Sequence, residues 1–146
     1  MTLAHHDNWT QKIFAWADEF EIPENEVPRD KEKLLAITEL NLNRYDENKA
    51  HLPKITYLPN EIGQLTNLER LSIGNNQLTQ LSESIGQLTK LTELNIRYNQ
   101  LSTLPESICH LKELRQLDLT GNPLTELSKP VKDFLRTIPR VHGYNK

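Results

Sequence analysis

The sequence predicts an α/β solenoid: a short coil with a parallel β-sheet on its concave face and a helical cap at its N-terminal end. Three observations carry that expectation. The first is a period. Leu68, Leu91 and Leu114 stand 23 apart, as do Leu71, Leu94 and Leu117, Ile73, Ile96 and Leu119, and Asn76, Asn99 and Asn122. Self-similarity at a fixed step of this size signals stacked units. The second is the alternation within each unit. In "TELNI" the apolar residues Leu94 and Ile96 lie two apart, the spacing of a half-buried strand. The third lies ahead of the repeats, where Trp9, Ile13, Trp16, Ala17 and Phe20 fall on one helical face.

The elements follow in order. Asp7 or Asn8 is placed to cap the first helix, and "EIPENEVPRD" breaks it. Asp30 caps a second short helix carrying Leu34 and Leu35. An apolar stripe of this kind can serve as a partner-binding face. The favoured reading is a lid over the open end of the leucine core, since an uncovered solenoid end is a liability. Residues 1–36 are thus assigned to an N-terminal cap, residues 37–127 to four repeat turns, and residues 128–146 to a C-terminal cap.

Each repeat reads L-x-x-L-x-L-x-x-N-x-L-x-x-L, followed by a segment such as "PESICHL". The two leucines of L-x-L point inward, and successive turns lay their strands side by side. The asparagine comes where the chain leaves the strand. Its amide can satisfy backbone groups of neighbouring turns, each of which would cost about 1–3 kcal/mol if buried unpaired. Ile62, Ile85 and Ile108 point inward from the convex side, where a short helical or extended crossing is expected.

This pattern resembles the leucine-rich repeat proteins, in the 23-residue form of intracellular and bacterial members, over about two thirds of the chain from Ile37 to Leu127. The resemblance implies a right-handed coil and a role in protein–protein interaction. It names no partner, because fold does not fix function.

The first turn departs from the pattern. Twelve residues separate Leu42 from Ile55, where later turns have four, so an insertion lies at about residues 43–52. A straight count puts Tyr45 at the asparagine position, and counting back from Ile55 gives Pro53. The ladder of asparagines is therefore expected to begin at Asn76. At the far end, Pro130, Val131, Phe134, Leu135 and Ile138 predict a short closing helix that stops before Pro139, with the final residues frayed.

Composition narrows the function. The chain has 146 residues, enough for one domain, with 36% hydrophobic residues and a mean hydropathy of −0.62. Its formal charge of −3 and pI near 6.0 argue against nucleic acid and anionic membrane as partners. Cys109 is the only cysteine, so an intramolecular disulfide is impossible. The N-terminus has no basic stretch followed by an apolar run, and no window approaches the roughly 18 apolar residues of a membrane span. A monomeric cytoplasmic protein is expected, the alternative being export without a Sec-type signal into a host cell.

The outward positions form lanes across the repeats. One holds Glu39, Arg70, Glu93 and Gln116, and the next Asn41, Ser72, Asn95 and Asp118. Beyond the strand come Asn43, Gly74, Arg97 and Thr120, then Arg44, Asn75, Tyr98 and Gly121. Glu93 and Asp118 could approach the separation of paired glycosidase carboxylates. An open sheet, however, offers neither exclusion of water nor a means to split their pKa values. A charge ladder Glu39–Arg70–Glu93 is the plainer expectation. His5, His6, His51, His110 and His142 form no metal-binding spacing with Cys109 or each other, and there is no glycine-rich phosphate loop. No catalytic residue, metal or cofactor is assigned, and the chain is not expected to be an enzyme. The ligase-type bacterial relatives that the resemblance brings in carry a separate catalytic domain after the repeats, whereas residues 128–146 here hold no cysteine.

Arg97 and Tyr98 are of residue types enriched among binding hot spots. Gly74 and Gly121 flank them without side chains, so both either stand proud as anchors or pack along the sheet edge. The candidate partner-binding set is Arg70, Glu93, Asn95, Arg97, Tyr98 and Asp118. Four strands at ~4.8 Å spacing expose roughly 200–300 Å² of sheet face, against about 800 Å² per partner in a stable interface. A specific complex therefore needs the first-turn insertion and adjoining loops as well. The expected function is protein binding through the concave face and these loops, to a partner the sequence does not identify. The alternative is a secreted bacterial effector using the same surface on a host protein.

Overall fold

The computed structural model describes residues 8–45 and 49–145. Five three-residue strands lie side by side in chain order as one parallel sheet: β1 (Glu39–Asn41), β2 (Arg70–Ser72), β3 (Glu93–Asn95), β4 (Gln116–Asp118) and β5 (Arg140–His142). Pleating decides which residues face the core. Leu40, Leu71, Leu94 and Leu117 at the strand centres are buried, as are Leu42, Ile73, Ile96 and Leu119 two residues on. The register keeps the lanes intact, with Glu39, Arg70, Glu93, Gln116 and Arg140 abreast, then Asn41, Ser72, Asn95, Asp118 and His142.

Parallel hydrogen bonding continues past the strands. The Asn75 N–H donates to the Arg97 carbonyl and that of Tyr98 to Thr120, and the first turn does the same, with Arg44 donating to Gly74. The first turn therefore stays in register through Arg44, and the insertion begins at Tyr45.

The asparagine ladder starts at Asn76, as the repeat predicted. Asn76 Nδ2 donates to the carbonyls of Leu42 and Ile73, and its Oδ1 accepts from Ile55 N–H at 2.8 Å. Asn99 repeats this one turn on, bonding Ile73, Ile96 and the Leu78 N–H, and Asn122 does so with Ile96, Leu119 and the Leu101 N–H. Each amide thus stitches two turns. On the convex side the chain crosses in 3-10 turns at Asn60–Gln64, Glu83–Gln87 and Glu106–His110, burying Ile62, Ile85 and Ile108.

The N-terminal end is covered by α1 (Asn8–Glu19), which buries Thr10, Ile13, Trp16 and Ala17. Asn8 is already helical where the described residues begin, and the other capping candidate, Asp7, lies outside them. Trp16 Nε1 donates to the Tyr57 carbonyl at 2.9 Å, and Phe20 meets the Tyr57 ring edge-on at 5.5 Å. The helix ends in a Schellman turn, with Ile22 N–H bonded to Ala17 and Glu21 N–H to Asp18. The left-handed position there is filled by Glu21, at φ 54°, rather than glycine. Arg29 fastens the next loop through Asp18 and the carbonyls of Ile22 and Val27. α2 (Lys31–Ala36) is capped by Asp30, whose carboxylate accepts from Lys33 N–H at 3.0 Å.

The C-terminal end corrects one expectation. α3 (Lys129–Leu135), capped by Ser128, buries Val131 and Leu135 as expected. Arg140–His142, just after Pro139, do not fray, however: they form β5, paired with β4. They begin a fifth turn, reached through α3, which stands in the fourth turn where earlier turns have a 3-10 crossing. The step from Leu117 to Val141 is 24 rather than 23, and no leucine marks it, which is why the repeat did not reveal it. Among the described residues no helix is long and apolar enough to cross a membrane.

Candidate binding surface

The lane containing Tyr98 has an unusual backbone. Asn75, Tyr98 and Gly121 occupy it on successive turns, with φ of 58°, 55° and 77°. Left-handed backbone is open to glycine and tolerated by asparagine, but costs a bulky L-residue roughly 1–2 kcal/mol. Two turns fill the site with the residues that suit it, and the middle one with a tyrosine. Gly121 serves twice here, since a Cβ on it would overlap the Tyr98 ring that lies across it. Tyr98 remains 53% exposed even so. The ring neither stands free nor is buried: it lies along the sheet edge with an open face.

Arg97 immediately precedes Tyr98, and its guanidinium carbon sits 4.9 Å from the centre of the Tyr45 ring and 6.0 Å from that of Tyr98. A cation over two aromatic rings is held by their quadrupoles, worth about 0.5–1 kcal/mol at an exposed site. Gly74 makes the reach possible, since a Cβ there would lie 3.4 Å from Arg97 Cγ and 2.9 Å from Asn43 Oδ1. Arg97 also approaches Asp118 at 3.9 Å. Tyr45, Arg97 and Tyr98 thus form one cluster spanning the first and third turns.

Tyr45 was absent from the candidates because the repeat count placed it at the asparagine position. The chain departs there instead, and its half-exposed ring turns onto Arg97 while its hydroxyl accepts from Asn43 Nδ2 at 3.3 Å. Asn43 and Arg44 also differ from Arg97 and Tyr98, the third-turn members of their lanes, which reach the surface. Asn43 and Arg44 are both buried. Asn43 Oδ1 accepts from Gly74 N–H. Arg44 Nη2 lies 3.4 Å from Glu26, which Lys49 meets at 2.7 Å. The return of the insertion is pinned by Lys54, whose ammonium donates to the carbonyls of Arg44 and Asn75.

The remaining candidates divide between two jobs. Arg70 lies between Glu39 at 3.6 Å and Glu93 at 3.7 Å, so the expected charge ladder is present. Asn95 and Asp118 each spend one side-chain oxygen on the backbone N–H two residues on, that of Arg97 and of Thr120. These bonds shape the turn that leads to the lane of Tyr98, and Asn41 does the same for Asn43. Asp118 therefore joins the tyrosine–arginine cluster, whereas Arg70 and Glu93 belong to the ladder one lane over. On the convex side, burial pushes the Cys109 thiol up from its ordinary pKa, and the thiol donates to the Pro130 carbonyl at 3.7 Å. A thiol so placed is a poor nucleophile.

The Leucine rich repeat family model matches residues 62–124. A leucine-rich repeat protein of Leptospira interrogans is 40% identical over 74% of this chain, with a TM-score of 0.61. The leucine-rich repeat domain of the type III effector XopL is 23% identical over 87% of the chain, with a TM-score of 0.55. The chain spans 26% of the first structure and 45% of the second, so it is shorter than either. No curated protein sequence gives a significant match. The 23-residue step, the parallel sheet with its asparagine ladder, the family match and these likenesses agree, and the chain is a leucine-rich repeat protein.

Proposed function

We propose that the chain is a protein-binding module whose contact centres on Tyr45, Arg97 and Tyr98. Asn95 and Asp118 support the centre, and Arg70 and Glu93 extend it along the sheet. The observation that carries this reading is the Tyr98 backbone. A bulky residue holds a left-handed site at a cost to stability, on an open surface, where asparagine and glycine fill the equivalent sites. Strain of this kind persists where a function uses it. Tyrosine and arginine supply large, stiff contact area, and the cation–π packing orders Arg97 before a partner arrives, lowering the entropic cost of binding. The insertion brings Tyr45 to the same place, supplying part of the footprint that the sheet alone lacks.

The test is quantitative capture from lysate on immobilised wild type, Tyr98→Ala, Arg97→Ala and the convex variant Glu83→Ala, followed by calorimetry with the purified partner. Tyr98→Ala or Arg97→Ala should weaken binding by at least ~1 kcal/mol, with Glu83→Ala unchanged. Equal affinity of all four proteins would overturn the reading. The likeness to an effector domain, at 23% identity, speaks to fold alone and adds nothing to a role inside a host cell.

A further inference from the structure

A second feature lies away from the tyrosine cluster, at the edge of the sheet where strands β2 to β5 begin. Arg70, Thr92, Glu93, Arg115, Gln116, Pro139 and Arg140 line an open concavity of about 650 Å³. Three of its walls are arginines and one is a glutamate. Arg70 is neutralised by Glu39 and Glu93, but among the described residues Arg115 and Arg140 form no ion pair. The reason lies in the register. The lane runs Glu39, Arg70, Glu93 and then Gln116, so Arg140 stands beside a neutral amide where the alternation would call for a carboxylate. Arg115, one residue before Gln116, belongs to the neighbouring lane, and its carbonyl accepts the Arg140 N–H. Two guanidinium groups without an ion pair among the described residues therefore line one hollow, one from the residue before β4 and one from β5. Two cations lining one hollow repel each other, and an anion between them relieves that repulsion.

We propose that this hollow binds an acidic peptide segment of the protein partner, its carboxylates seated on Arg115 and Arg140. The proposal rests on the protein-binding reading above and specifies part of the partner. Arginine is suited to the task because its planar fork engages a carboxylate through two parallel hydrogen bonds. Gln116 adds a neutral donor for a backbone carbonyl. Glu93 at the rim sets a limit on the anion: it repels a continuous run of phosphates, and the net charge of −3 makes a polyanionic nucleic acid a poor ligand for the chain as a whole. A peptide with spaced carboxylates can avoid Glu93 while reaching both arginines.

The experiment is fluorescence anisotropy of the whole protein with a fluorescein-labelled hexaglutamate, at low and moderate salt. The comparisons are a hexalysine, a single-stranded oligonucleotide, and the variants Arg115→Ala, Arg140→Ala, Glu93→Gln and Lys112→Ala. Hexaglutamate should bind and hexalysine should not. Each arginine variant should weaken binding by about tenfold, one lost charge-assisted contact. Glu93→Gln should strengthen it, a gain that misfolding cannot produce. Lys112→Ala removes the same charge from the convex side and should change nothing. The proposal fails if hexaglutamate does not bind, if Lys112→Ala weakens it as much as the arginine variants do, or if the oligonucleotide binds more tightly through the same arginines. Should it fail while capture of a partner still depends on Tyr98, the binding-module reading stands. If the peptide binds through the arginines but Tyr98→Ala changes no capture, the tyrosine cluster is the part that falls.

Discussion

Asn99 shows how much one residue can hold in a coil of this kind. Its amide makes one bond to the Leu78 N–H and three to carbonyls on two turns. Asn99→Ala should lower stability by roughly 2–3 kcal/mol, read as a shift in the urea midpoint at unchanged slope. The asparagines were legible in the sequence because a regular step of 23 located them. The left-handed site one residue earlier was not, because Asn75, Tyr98 and Gly121 share no side-chain chemistry, only a backbone angle. The angle predicts that Tyr98→Asn places a tolerant residue at a strained position. Its melting temperature should not fall, although the ring contact with Arg97 is lost, while partner binding weakens. A large drop in melting temperature would show that Tyr98 is there for stability.

Elements are joined at the N-terminal end by two polar contacts that the apolar pattern could not announce. The Tyr57 hydroxyl donates to Glu19 at 2.6 Å, tying the first turn to α1. That hydrogen bond, with burial and the carboxylate charge adding to it, raises the Tyr57 pKa above its ordinary value. A raised pKa in the folded state means that the stabilisation is fully present below about pH 10 and is lost as pH climbs through the higher folded value. Tyr57 is 42% exposed, so solvent screens the effect and it is small. Tyr57→Phe should flatten the alkaline decline in melting temperature; an unchanged slope would remove the hydroxyl from the account. The second contact is Glu26, which joins the loop after α1 to buried Arg44 and to Lys49 in the insertion. Glu26→Ala strands the Arg44 cation, whose side chain is wholly inaccessible, and should cost about 3 kcal/mol in chemical denaturation. The repeat assigns Asn43 and Arg44 outward positions because it carries the lanes of the later turns back into the first. The loop that buries them has no counterpart in the other turns.

On the scale of the molecule, stability is a sum over neighbours, since each turn meets only the turns beside it. The covering helix is then a condition for the rest. Deleting residues 1–29 exposes the Leu40 and Ile62 end of the core and should give aggregation or loss of cooperative unfolding; a soluble, cooperatively folding truncation would make α1 an appendage. The architecture was legible from end to end wherever leucine marked the step. It failed at β5, where Val141 takes the inward place and a helix replaces the crossing. The candidate site was half legible. Arg97 and Tyr98 were visible as residue types beside two glycines, but Tyr45 was not, because only the three-dimensional path of the insertion brings it there.

The gap at Gly74 has a mechanical consequence. Arg97 reaches over the second turn to Tyr45 on the first, so the cluster is a strap along one edge of a spring. Bending the coil at that edge must lengthen or slacken the strap. A protein that grips Tyr45 and Tyr98 together would fix the curvature of the first three turns, and a curvature imposed from elsewhere on the coil would alter its grip.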